Sequence, residues 1–95
     1  MAPKRRVIRV ESTKQADLDI RYWQGSGNLK ILVRINKLIE AAMDNPAVGI
    51  GKPERLKFYE VETYSRRIDR THRLVYQVHE GALILISARF HYVES

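Results

Sequence analysis

The feature that most narrows what this chain can fold into is a change of hydrophobic period at Asn45-Pro46. Upstream of that point, apolar residues recur at three- and four-residue steps. Ala16, Ile20 and Trp23 mark one face of a helix that ends at Gly25-Ser26-Gly27. Ser12 or Thr13 offers its N-cap, and Ser12 with Gln15 has the spacing of a capping box. Asn28 can cap a second helix, in which Leu32, Ile35, Leu38, Ile39 and Ala42 form the apolar stripe. Pro46 cannot continue that helix, and the Gly- and Pro-rich run to Pro53 reads as a surface loop. Downstream, three strand-like segments follow at Glu62–Ile68, His72–Val78 and Ala82–Phe90. Asp69-Arg70-Thr71 and His79-Glu80-Gly81 are short enough to be hairpin turns between them. With a short first strand over Arg6–Val10, the order is β-α-α-β-β-β. The pattern predicts an α+β fold, with an antiparallel meander carrying both N-terminal helices on one face.

A chain of 95 residues has room for one domain, expected over 1–95 with a basic, flexible stretch at 1–6. It contains no cysteine, so disulfides and thiolate zinc sites are excluded. No stretch approaches the roughly 18 apolar residues of a membrane span, and no secretory pattern opens the chain, so a cytoplasmic location is expected. Seventeen Lys and Arg against eleven Asp and Glu give a net charge of +6, which favours a polyanionic partner. Arg66, Arg67, Arg70 and Arg73 fall within eight residues, near Lys52 and Lys57 as further phosphate contacts.

Strand alternation divides the side chains between two faces. Leu74, Tyr76 and Val78 suit the helix-covered face, which puts Arg73 on the open one; Ser65 and Arg67 form one row of the preceding strand and Tyr64, Arg66 and Ile68 the other. The last segment delivers Arg89, Phe90, His91 and Tyr92 to one end of the sheet. Trp23 and Tyr22 read as packing residues, whereas Tyr64 suits either packing or stacking on a base.

The histidines His72, His79 and His91 lack ligand spacing and no carboxylate cluster accompanies them, so neither a metal nor another cofactor is expected. Metal-free RNA cleavage requires less: a base for the ribose 2′-OH, an acid for the departing 5′-oxygen, and a fixed cation for the phosphate. Glu54, His91 and Arg73 are candidates of the right types, but taken singly each has an ordinary structural reading: a loop carboxylate, a half-packed histidine, an arginine paired with Asp69 or Glu62.

Four motifs occur together in order: Gly51-Lys52-Pro53-Glu54-x-Leu56-Lys57, Ser65-Arg66-Arg67-Ile68, His72-Arg73-Leu74-Val75-Tyr76 and Ala88-Arg89-Phe90-His91-Tyr92. The set resembles the YoeB/Txe toxins of the RelE superfamily, and Tyr22-Trp23-Gln24 and Ile35-Asn36-Lys37-Leu38-Ile39 resemble that family's helical segments. The resemblance implies a RelE-like toxin of a type II toxin–antitoxin pair that cleaves mRNA in the ribosomal A site. It implies Glu54 as general base, His91 as general acid and Arg73 as phosphate stabiliser. Lys57 and Arg67, with Lys52, would hold the RNA backbone, and Tyr92 would shape the site. The implied partners are mRNA, the ribosome and a YefM-like antitoxin with an acidic or amphipathic tail; a homodimer is also compatible. Two other readings remain: a non-catalytic module that binds RNA or the ribosome, and a superfamily toxin aimed at a protein. The chain departs from the family at Val61-Glu62-Thr63-Tyr64, at Arg55, and in carrying Val93-Glu94-Ser95 beyond Tyr92.

Overall fold

The computed structural model describes residues 9–90. Its elements run β1 (Arg9–Ser12), α1 (Lys14–Gly25), α2 (Leu29–Asp44), β2 (Glu54–Arg55), β3 (Glu62–Arg67), β4 (Arg73–His79) and β5 (Ala82–Ser87). The order β-α-α-β-β-β is present, with the two-residue β2 added inside the segment expected to be irregular. The five strands form one sheet in the order β1-β5-β4-β3-β2. β2 to β5 make the expected antiparallel meander, while β1 joins the far side of β5 in parallel, so the sheet is mixed. The helical hairpin makes this possible, because it carries the chain across one face and returns it on the opposite edge. β1 is described from Arg9 and runs to Ser12, two residues beyond the expected Val10; the expected strand start at Arg6 and the basic 1–6 stretch lie outside the described residues.

Local chemistry sets the element ends. Thr13, not Ser12, caps α1: its side chain accepts from the Ala16 amide at 3.2 Å. Ser12 instead donates to Asp17, and Gln15 to Asp19, so the Ser12–Gln15 box is not formed. Asn28 caps α2 through the Ile31 amide, as its position predicted. In the β3–β4 turn the Asp69 carboxylate accepts from the Thr71 and His72 amides. Glu80 and Gly81 both take positive φ, the conformation that a two-residue hairpin with right-handed strand twist requires.

The core lies between the helices and one sheet face. Ala16 and Trp23 of α1, and Ile31, Ile35, Leu38 and Ala42 of α2, pack with Leu74, Tyr76, Leu83, Leu85 and Ala88. Tyr64 belongs to the same cluster, stacked on Tyr76 at 5.7 Å between centroids, so it packs and is withdrawn from base stacking. Arg66 is the chief correction to the charge reading. It alternates onto the helix-covered face and is 0 % exposed, so it is no part of an RNA-facing arginine cluster. Its guanidinium donates to the Tyr76 hydroxyl and to the carbonyls of Asn45, Val48 and Ile50.

These bonds draw the loop after α2 against the sheet, where the Arg67 amide donates to the Gly51 carbonyl at 2.7 Å. Gly51 has φ +84, and a Cβ there would lie 2.7 Å from Leu38 Cδ2 and 3.1 Å from Arg66 Cβ. Gly51→Ala is therefore expected to cost about 1–3 kcal/mol, read as a lowered thermal midpoint. A midpoint equal to that of the parent chain would refute the close-approach argument.

Burial raises the Tyr76 phenol above its usual 10.0, against an opposing Arg66 hydrogen bond, and burial with the Glu62 contact raises Tyr64. An acid whose folded pKa is raised keeps its proton longer in the native state than in the unfolded chain. Stability should thus hold to about pH 9 and decline as pH rises past about 10, where unfolded tyrosines ionise. Urea midpoints between pH 8 and pH 11 (roughly the span of that ionisation) check this, and the decline should be shallower with Tyr64→Phe and Tyr76→Phe combined.

Candidate functional site

The open sheet face gathers its polar residues through register. Glu54 pairs with Ser65, Ser65 with Val75, Val75 with Ser87, and Arg67 with Arg73, so these side chains share the face opposite the helices. Leu56 and Val75 are buried there and give the face an apolar floor. Glu54 enters this row only because β2 exists: its two residues hold the chain in extended pairing at Tyr64 and Ser65. In an irregular loop Glu54 would have no defined face.

Arg73 and Glu54 face one another across β3. Arg73 Nη1 lies 3.9 Å from Glu54 Oε2, and the side chains are 16 % and 66 % exposed. This is longer than the roughly 2.7–2.9 Å of a charge-assisted hydrogen bond, so the two groups attract without saturating each other. Arg73 Nη1 also donates to Ser65 Oγ at 3.2 Å, which fixes the guanidinium over the sheet. Ser65 went unrecognised as a site residue from sequence. Its signal was its row with Arg67, but its place opposite Glu54 needed β2. The alternatives of Arg73 pairing with Asp69 or Glu62 give way to other contacts: Asp69 accepts turn amides and Glu62 accepts the Tyr64 hydroxyl.

Of the expected phosphate contacts, Arg67 is exposed at the end of β3, directly across from Arg73. Lys52 and Lys57 are exposed in the segments flanking β2. The chain thus presents Arg73 beside one carboxylate, with exposed Arg67 across from Arg73 and exposed Lys52 two residues before Glu54, an arrangement suited to a phosphodiester with a hydroxyl neighbour.

The end of β5 closes the site from a third side. A bulge in β5 pairs Val75 with Ser87 and Tyr76 with Leu85, leaving Ile86 as the extra residue. Ala88 then turns into the core, its amide donating to Asp19 Oδ2 and its carbonyl accepting from Trp23 Nε1. The Arg89 guanidinium lies over the Tyr22 ring at 3.4 Å, so half-exposed Tyr22 packs on the C-terminal segment and not in the core. The Phe90 carbonyl accepts from the Arg73 amide at 3.1 Å. His91 and Tyr92, the expected acid and site-shaping residue, lie outside the described residues. Among the described residues, no three of His, Cys, Asp and Glu converge on a possible metal position, and no helix is long and apolar enough to cross a membrane.

Comparison with known proteins agrees with this architecture. Residues 12–92 match the family described as the YoeB-like toxin of bacterial type II toxin–antitoxin systems. The chain is 49 % identical over 70 residues to a Toxin YoeB of Synechocystis, covering 74 % of this chain and 81 % of that one. The structure of a YoeB dimer from Staphylococcus aureus superposes with a TM-score of 0.78 at 38 % identity, covering 90 % of this chain and 98 % of the other. A YoeB–YefM complex from the same organism gives 0.75 at 40 % identity, over 87 % and 95 %. The four motifs noted in the sequence fall inside the matched span, and with the shared fold they place this chain in the family of YoeB-like toxins of bacterial type II toxin–antitoxin systems.

Proposed function

We propose that the chain is a ribosome-dependent endoribonuclease that cleaves mRNA in the A site without a metal. The observation that carries the reading is the Glu54–Arg73 pair, held 3.9 Å apart on the sheet face opposite the helices, with the Arg73 amide bonded to the last described residue, Phe90. Glu54 takes the proton of a ribose 2′-OH, and the 2′-oxygen attacks the adjacent phosphorus. His91 protonates the departing 5′-oxygen, leaving a 2′,3′-cyclic phosphate and a 5′-hydroxyl. Arg73 stabilises the charge that grows on the non-bridging oxygens. Lys52, Lys57 and Arg67 hold the flanking phosphates, and Tyr92 orients the RNA.

Several features support this division of labour. Glu54 is exposed enough to meet a hydroxyl, and Ser65 restrains Arg73 while leaving guanidinium donors for a phosphate. The reading includes ribosome dependence, in which the ribosome supplies the geometry of the RNA strand. The ribosome presents the strand already bent. Cytoplasmic action accords with such a substrate. The regulating partner is a YefM-like antitoxin whose acidic segment covers the basic face, and the isolated chain forms a homodimer; a YoeB–YefM complex and a YoeB dimer from Staphylococcus aureus support an antitoxin partner and a dimer.

Primer extension on mRNA in a purified translation system tests the reaction. The intact protein should cut at a codon held in the A site and fail to cut without ribosomes. Glu54→Gln and His91→Gln should each lower the rate by about 10²–10⁴-fold. The unfolding free energy of Glu54→Gln should stay within about 0.5 kcal/mol of the parent's, because a largely exposed carboxylate at this distance contributes little. Cleavage that persists in both variants would refute the assigned acid and base. Translation blocked with no cleavage would instead establish a non-catalytic binding module, and a halt in replication with mRNA intact would point to a protein target.

A further inference from the structure

Phe90 is held in a way that its sequence does not explain. It has φ +68, the left-handed region that a bulky non-glycine residue enters at a cost on the order of 1 kcal/mol or more. Its side chain is largely exposed and meets the Arg89 guanidinium at 4.4 Å and the His72 ring at 5.9 Å, so no core packing fixes the conformation. Its backbone is instead gripped at both polar atoms by consecutive residues of β4's entrance. The Phe90 amide donates to His72 Nδ1 at 2.7 Å, and its carbonyl accepts from the Arg73 amide at 3.1 Å.

His72 is itself firmly placed. Its amide donates to Asp69 Oδ1, its carbonyl accepts from the Ile68 and Asp69 amides, and its ring meets Trp23 edge-on at 4.8 Å. Nδ1 can accept only if the ring proton sits on Nε2, so the bond selects one tautomer of the neutral imidazole. Ala88 is clasped by Asp19 and Trp23, and Arg89 lies on the rings of Tyr22 and Phe90, but it is His72 and Arg73 that bond the backbone of Phe90, the residue joined to His91.

We infer that His72 is a positioning residue: through its Nδ1 it holds Phe90 in the left-handed conformation from which the chain continues into His91, and so sets the aim of the general acid. The inference rests on the ribonuclease reading with His91 as that acid. His72 touches no reacting atom. Its contribution enters the rate of the chemical step and not the binding of the ribosome.

The test compares full-length His72→Asn, His72→Gln and His72→Leu with the parent chain. Asn Oδ1 occupies nearly the place of Nδ1, whereas Gln puts its polar atoms where Nε2 stood and Leu offers no acceptor. Two readouts are taken: hydrogen exchange of the Phe90 amide by NMR, and saturating and half-saturating cleavage kinetics on programmed ribosomes. The Phe90 amide should be protected in the parent and in His72→Asn, and exposed in the other two. His72→Gln and His72→Leu should lose about 10²-fold in saturating rate, as expected for a displaced catalytic group, with half-saturation unchanged. His72→Asn should recover most of that rate. Full activity in His72→Gln or His72→Leu, loss without rescue by Asn, or a rise in half-saturation in place of a rate loss would each overturn the inference while the parent still cleaves. A parent chain that cleaves nothing overturns the ribonuclease reading and, with it, the inference.

Discussion

The guanidinium of Arg66 sits fully buried between the sheet and the end of α2, and the rest of the structure is arranged around satisfying it. An unpaired charge in such a place would be expensive, and among the described residues no carboxylate forms an ion pair with it. Its partners are dipoles: the Tyr76 hydroxyl and the carbonyls of Asn45, Val48 and Ile50. Asn45 is the C-cap of α2, where the helix dipole is negative, so the site suits a cation. Tyr76 relays the contact by donating to the Pro46 carbonyl at 2.6 Å. The loop after α2 is thereby fastened to β3 and β4 by one side chain. That loop leads directly into Glu54, so the position of the proposed base depends on a residue that never meets solvent.

The same residue marks where sequence reading succeeds and fails. Alternation assigned Arg66 to the row of Tyr64 and Ile68, which is correct, yet composition counted it among the surface arginines. The two inferences conflicted, and geometry decides for the first. Helix faces, caps at Asn28 and the hairpin turns were legible because they depend on neighbours within about four residues. β2 was not, because two residues flanked by Pro53 and Leu56 carry no period; only pairing with Tyr64 and Ser65 makes them a strand. The parallel docking of β1 on β5 was equally invisible, since it joins segments some 70 residues apart through a contact that leaves no local pattern. The Ile86 bulge escaped for the opposite reason. Its segment is apolar on both faces, so a shift of one residue changes no visible alternation.

The site inherits this mixture. Arg73 was placed on the open face by alternation alone, and its approach to Glu54 depended on the unseen β2. Ser65 was visible as a row member but acquired meaning only as the hydroxyl between the two. The motif resemblance supplied what physics could not, namely roles for residues far apart in sequence. The fold then supplies what the resemblance could not: a reason for Glu54 and Arg73 to be neighbours at all. Family membership and geometry therefore support the proposed chemistry through separate routes.

Backbone strain gives a third route that uses neither motifs nor chemistry. Among the described residues, four non-glycine positions have positive φ: Lys52, Phe58, Glu80 and Phe90. Glu80 is accounted for by its tight hairpin. The other three have no turn of that kind to excuse them, and each borders a residue of the proposed site. Lys52 is two residues before Glu54, Phe58 follows Lys57, and Phe90 precedes His91. Strain of this sort persists only where surrounding structure over-determines it, and it gathers where side chains must be aimed against local preference. Phe58 and Phe90 are moreover large apolar residues left exposed, which folding alone would not select. A chain shaped only for stability would relieve these positions with glycine, as it does at Gly27, Gly49, Gly51 and Gly81. Lys52 and Phe90 border the end of the sheet where Arg67 and Arg73 pair, through the Arg67–Gly51 and Arg73–Phe90 backbone bonds, while Phe58 follows β2 toward the other end of β3.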